Sequence, residues 1–203
     1  MSRTRPVSVF KGGRTDKIQL GGGTLKAAVV YESMYGNTHS VAKAIAEGLG
    51  PAAVTEVVAT NDADQMDLTG LDLLVVGGPT HAHGMSRSQT RQAAVNDASS
   101  GEKELSLDAS VGGPGVREWL DSLGPSSGRA AAFDTRVDMP ELLTGHAAKG
   151  IGKKLKQHGF ELVADPESFL VSGDSGLLPG ELDQARQWGQ TLASSLKDEQ
   201  QRS

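Results

Sequence analysis

The chain has 203 residues and a net charge of −5, enough length for one domain with a sizeable core and no basic block to serve as a nucleic-acid footprint. It has no cysteine, which excludes disulfides, thiolate metal sites and cysteine nucleophiles and fits a reducing compartment. No apolar run approaches a membrane span, and Arg3, Arg5, Lys11 and Arg14 lack the apolar core of a secretory signal. The expected setting is therefore the cytoplasm, without nucleic acid and without membrane insertion.

Residues 1–24 alternate polar, basic and glycine positions and end in Gly21-Gly22-Gly23, which predicts a loosely ordered extension before a domain over 25–198. Residues 27–31 form a near-continuous apolar run, as expected of a strand covered on both faces. Residues 39–49 place Val41, Ala42, Ile45, Ala46 and Leu49 on one helical face, closed by Gly50-Pro51. A second strand is expected over 54–59, and the clearest strand of the chain over 71–77. The polar stretch 86–115 has no periodicity through its middle and reads as an insertion or mobile loop. A helix over 116–123, a strand over 129–133 and a helix over 147–157 follow. The fifth strand is split between 160–164 and 169–171, and a last helix covers 180–196. Strands alternating with helices predict an α/β fold: a three-layer, doubly wound, five-stranded parallel sheet with helices on both faces.

The most informative segment is the junction between the first strand and the first helix, Ser33-Met34-Tyr35-Gly36-Asn37-Thr38. The first amides of a helix have no internal partner, point outward and attract an anion. Ser33, Asn37 and Thr38 add side-chain donors, and Gly36 permits a tight turn. The segment itself contains no lysine or arginine, which suits a monophosphate better than a triphosphate. The plainer alternative is a strand-to-helix turn capped by Asn37 or Thr38. The segment lacks the Gly-Lys-Ser/Thr ending of the nucleotide P-loop and the Gly-x-Gly-x-x-Gly dinucleotide fingerprint. It resembles the phosphate loop of the flavodoxin family, which grips the monophosphate of FMN with hydroxyls and backbone amides.

That resemblance covers about residues 25–197 and implies a flavodoxin-like fold with FMN as cofactor. Gly77-Gly78-Pro79-Thr80 is similar to the family's second loop, and 172–189 to its last strand-to-helix segment. In such sheets ligands sit beyond the carboxyl ends of the strands. The resemblance thus assigns phosphate to Ser33, Met34, Tyr35, Gly36, Asn37 and Thr38. It assigns one side of the flavin ring to Pro79, Thr80, His81, Ala82, His83 and Gly84, and the other to Asp134, Thr135 and Arg136. Asp134 and Thr135 either bond the ring edges or cap the turn after the strand. The His81 and His83 pair, with no third ligand class nearby, reads as substrate-facing or solvent-facing rather than metal-binding.

Two departures from the family stand out. The ring loops offer no Tyr or Trp, and stacking on an aromatic contributes on the order of 1 kcal/mol beyond buried area. Losing two such contacts weakens FMN binding by roughly one to two orders of magnitude. Arg136 brings positive charge where flavodoxins keep the loop acidic or neutral, which favours a reduced, anionic ring and two-electron chemistry. Its plainer reading is a surface arginine paired with Asp138 or Asp134. The Trp119 and Trp188 indoles are expected in the core, and Lys153, Lys154 and Lys156 on a solvated helix face.

The function expected is an FMN-binding, flavodoxin-like protein in electron transfer, or one that reduces a small acceptor such as a quinone. A redox partner protein, or NAD(P)H together with a small electron acceptor, would exchange electrons with it. The alternative is a flavodoxin-fold binding or regulatory module that has lost tight flavin binding. An acyl-transfer or phosphatase-like role for Ser33 finds no histidine placed as its base by any motif.

Overall fold

A computed structural model describes residues 24–81, 84–99, 107–108, 111–173 and 176–200. The strands are β1 (Leu25–Tyr31), β2 (Ala53–Ala59), β3 (Leu73–His81), β4 (Gly84–Met85), β5 (Gly128–Val137), β6 (Phe160–Leu162) and β7 (Glu167–Val171). The α-helices are α1 (Asn37–Leu49), α2 (Ser88–Ser99), α3 (Val116–Ser122), α4 (Glu141–Thr144), α5 (Ala147–Gln157) and α6 (Glu181–Gln200). The main sheet runs β2-β1-β3-β5-β6, with β7 continuing beside β5 where β6 ends, and these pairings are all parallel. The split fifth strand is thus β6 followed by β7. A short antiparallel hairpin, Thr80 opposite Met85 and His81 opposite Gly84, adds β4 to the end of β3.

Alternation along the strands divides the core into two layers. Ala27, Val29 and Tyr31 of β1, Val75 of β3 and Phe133 of β5 meet Val41 and Ile45 of α1 and Leu192 of α6. Phe133, Phe169 and Trp188 pack edge to face, with centroids 6.1 to 6.4 Å apart. On the opposite face Ala28, Val30, Leu74 and Val76 meet Trp119 and Leu120 of α3 and Ile151 and Leu155 of α5. Helices therefore cover both sides of a parallel sheet, and the carboxyl ends of the strands converge at one edge of the layers.

Three differences from the sequence reading matter. β3 runs to His81 and β5 to Val137, so Pro79, Thr80, His81, Asp134, Thr135 and Arg136 lie in strands rather than loops. Ladder partners hold them there: Gly78 with Asp134, Pro79 with Thr135, and Asp134 to Arg136 with Ser168 to Leu170. At its start β3 omits Leu71 and Asp72; Asp72 instead brackets Lys26, its amide donating to the Lys26 carbonyl and its carboxylate accepting from the Lys26 amide. Within 86–115, Ser88–Ser99 is helical. The expected N-terminal extension, apart from Thr24, lies outside the described residues, as do 100–106 and 109–110.

Candidate functional site

The turn after β1 is built by two local devices. Gly36 is the N-cap of α1 with φ +84°, a left-handed conformation that costs a side-chain-bearing residue roughly 1–2 kcal/mol. Its amide donates to Ser33 Oγ at 3.1 Å, closing the turn, and its carbonyl accepts from the Ser40 amide and hydroxyl at 2.9 Å. No side chain caps the helix, so neither Asn37 nor Thr38 plays the capping part considered from sequence. Thr38 instead lies buried, its Oγ1 2.8 Å from Thr135 Oγ1 of β5. This hydroxyl pair ties the first helical turn to the end of a strand two places away in the sheet.

Beneath the turn, Tyr31 and His39 stack with ring centroids 4.6 Å apart. His39 Nδ1 lies 3.2 Å from Asp108 Oδ2, and the Asp108 amide donates to the Met34 carbonyl at 2.7 Å. Burial, then the charges of Asp108 and Asp62, push the Tyr31 phenol up to about 12, so it stays protonated at neutral pH.

A cleft of about 140 Å³ opens at the strand ends. Ser33, Met34, Tyr35, Asn37 and Thr38 form one wall, Pro79, Thr80 and His81 a second, and Thr135 and Arg136 a third. Ten of the fifteen residues proposed from sequence thus converge on one cavity. Gly36 shapes the turn behind it, and Gly84 pairs with His81 in the hairpin. Ala82 and His83 fall outside the described residues. Burial lowers the His81 pKa, which makes its imidazole neutral at neutral pH.

Asp134 departs from the ring-edge role. It is fully buried and absent from the cleft lining. Its Oδ2 accepts from Thr80 Oγ1 at 3.0 Å and from the Ala148 amide at 2.8 Å, while the Ala147 amide donates to Thr80 Oγ1 at 2.9 Å. A carboxylate placed on the first amides of α5 satisfies donors that the helix cannot, and its charge suits the positive end of the helix dipole. Asp134 and Thr80 therefore lock α5 to β3 and β5 beneath the cleft. Arg136 does line the cleft, and its guanidinium donates to the Met139 carbonyl at 2.9 Å. The cavity as a whole thus contains a cation that the Ser33–Thr38 turn by itself lacks.

Two features escaped the sequence reading. Val137 and the end of β7, Val171 with Ser172 and Gly173, complete the cleft. A parallel sheet delivers every strand's carboxyl end to the same side, so the fifth strand belonged with the other three from the outset. Glu32, directly after β1, is buried: Ser86 Oγ donates to its Oε1 and the Val116 amide to its Oε2 at 2.8 Å. Arg91 Nη1 reaches Ser86 Oγ at 3.2 Å and Glu118 Oε2 at 3.0 Å. Burial raises the Glu32 pKa, against the opposing pull of these hydrogen bonds. This network fastens α2 and α3 to the base of the turn.

A five-stranded parallel sheet in this order, with an anion-attracting turn after its first strand, defines a flavodoxin-like domain. The flavodoxin family profile matches residues 29–120. An archaeal flavodoxin shares 20% identity and superimposes with a TM-score of 0.54 over 85% of this chain and 99% of its own. Oxidised flavodoxin 2 from Bacillus cereus gives 18% identity and a TM-score of 0.55 over 86% and 99%. A flavodiiron core from Synechocystis sp. PCC6803 gives 18% and 0.53, over 86% of this chain but only 36% of the other. No curated protein sequence matches the chain. The chain thus has a flavodoxin-like fold, and residues 29–120 within it match the flavodoxin family profile. None of its described helices is long and apolar enough to cross a membrane.

Proposed function

We propose that this domain binds FMN and works in electron transfer or in the flavin-dependent reduction of a small acceptor such as a quinone. The observation that carries the reading is the meeting of the Ser33–Thr38 turn with β3, β5 and β7 in one cleft at the strand ends. The donors suit a phosphate monoester: hydroxyls of Ser33 and Thr38, the amide side chain of Asn37, and the leading amides of α1.

Bound FMN supplies reversible electron and hydride transfer. The chain's own residues do the rest. The turn holds the phosphate, and the neutral His81 and Tyr35 offer flat surfaces beside the apolar Pro79, Val137 and Val171. Arg136 sets positive charge at the cleft wall, which favours a negatively charged reduced ring. Electrons would come from a redox partner protein or from NAD(P)H.

The test is a fluorescence and absorption titration of the purified chain with FMN and, in parallel, with riboflavin. FMN is expected to bind in the micromolar range and riboflavin at least about tenfold more weakly, since the phosphate turn is the best-formed part of the site. No FMN binding at tens of micromolar would overturn the reading and favour a flavodoxin-fold binding module. Given binding, NAD(P)H oxidation with a quinone acceptor distinguishes a reductase from a passive carrier.

A further inference from the structure

On the flank of the sheet, away from the cleft, a trough of about 680 Å³ separates α5 from the connection between β6 and β7. Lys149, Lys153 and Lys156 line its helical wall. Their spacing of four and three residues puts them on one helix face, and seven residues of helix rise about 10 Å. All three are exposed. Lys154, which points elsewhere, is engaged by Asp121. The opposite wall is apolar, contributed by Leu162, Val163, Ala164 and Pro166, with Asp165 the one carboxylate among the lining residues. Gly152 brings these walls together: a Cβ there would lie 3.0 Å from Leu162 Cδ1 and 3.4 Å from Pro166 Cγ.

Each feature narrows the occupant. Three lysines against one carboxylate reverse, locally, the sign of a chain whose net charge is −5. A nucleotide finds little to hold it, because no arginine fork lines the trough. The leading amides Ala147 and Ala148 of α5 are already taken by Thr80 and Asp134. Nucleic acid calls for a longer run of cations than these three. What fits is an extended segment that sets carboxylates on the lysines and apolar side chains on the Leu162–Pro166 wall. The site is reachable from outside, since β6 and β7 form the outer side of the sheet beyond β5.

We infer that this trough is a docking surface for an acidic, apolar-punctuated segment of a partner protein. The inference is independent of flavin binding. It rests on charge complementarity and on the apolar wall, and not on the cleft at the strand ends.

The experiment uses the full chain and a short fluorescein-labelled peptide of alternating glutamate and leucine, read by anisotropy. A lysine–leucine peptide serves as the counterpart. The acidic peptide is expected to bind saturably, more weakly as salt rises, while the basic one does not bind. Lys153→Glu/Lys156→Glu should weaken binding about tenfold or more and leave FMN titration unchanged. Lys26→Glu/Lys43→Glu, which changes net charge equally at exposed positions on β1 and α1, should retain affinity. Equal loss in both double variants would reduce the effect to overall charge and overturn the proposal. So would unchanged affinity in the first variant, or no saturable binding by the parent chain at low salt.

Discussion

The hydroxyl pair at the heart of the cleft offers a test in which structure and ligand binding separate. Thr38 and Thr135 are 2% and 5% exposed, with their hydroxyl oxygens 2.8 Å apart. Thr38→Val keeps the side-chain shape and strands the Thr135 hydroxyl in a buried position, a loss of about 1–3 kcal/mol. For a chain of this length that lowers Tm by about 2–4 °C per kcal/mol. Removing both hydroxyls in Thr38→Val/Thr135→Val leaves neither stranded, and Tm should recover most of the loss. Ligand affinity should behave differently. A hydroxyl donating to a charged phosphate contributes about 1.5–3 kcal/mol, a Kd change of about ten- to a hundredfold. Thr38→Val should therefore lose FMN affinity by that factor, the double variant should stay weak, and riboflavin should bind all three proteins alike. Thermal melts without flavin, with fluorescence titrations of both flavins, give every number needed. Recovery of FMN affinity in the double variant, in step with Tm, would show that Thr38 is only a strut between α1 and β5.

Asp134→Ala strands the Ala148 amide at about 1–3 kcal/mol and removes the acceptor of the Thr80 hydroxyl, which keeps its bond from the Ala147 amide, so Tm should fall by several degrees. Asp134→Asn keeps one acceptor oxygen and should fall less; equal losses would mean that charge, not hydrogen bonding, anchors α5. Because burial raises the Glu32 pKa, the folded chain holds that proton more tightly than the unfolded one. The corresponding stability is present at acid pH and is lost as pH rises through the raised value. Glu32→Gln cannot titrate, so denaturant melts from about pH 4 to about pH 7 should show it gaining on the parent as pH rises; a constant difference would refute the raised pKa. Arg136→Gln should lower the midpoint potential of bound flavin, measured by potentiometric titration, and an unchanged potential would remove Arg136 from the ring environment.

How much of this was legible in the sequence depends on which force decides each element. α5 was readable to the residue because Ala148, Ile151 and Leu155 repeat at helical spacing and Gly159 (φ +101°) stops it. β1 and its turn were readable because apolar continuity and turn chemistry act locally. The ends of β3 and β5 were not, since Pro79-Thr80-His81 and Asp134-Thr135-Arg136 look like loop residues and are held in strands by neighbours far away in sequence. α2 has no periodic apolar face; what the sequence could not reveal is that Arg91 ties it to Ser86 and Glu118. The buried Glu32 was illegible for the same reason, because a lone glutamate after a strand signals nothing until its partners are in place. The wall of the cleft from the turn after β1 was therefore foreseeable, while the wall from β7 depended on where a split strand resumes.

α5 lines the lysine trough and bonds through its first amides to Thr80 of the cleft wall and to Asp134 beneath it, but such a connection is not coupling. Two sites influence each other only if the element between them has two arrangements that each ligand distinguishes. The first turn of α5 is held by Ala147 and Ala148 bonding to Thr80 and Asp134, and Ala147, Ala148, Ile151 and Leu155 on its inner face are all fully buried. That clamp opposes any sliding of the helix when the trough is filled. The trough starts beside the clamped end, at Lys149, and runs down the helix to Lys156 and Gln157. A partner seated there would be held on the flank of the sheet, apart from the strand-end cleft, without deforming it. For the proposed electron transfer that would be the useful arrangement: affinity would reside in one surface and exchange would take place at another, and strengthening the first would leave the second unstrained.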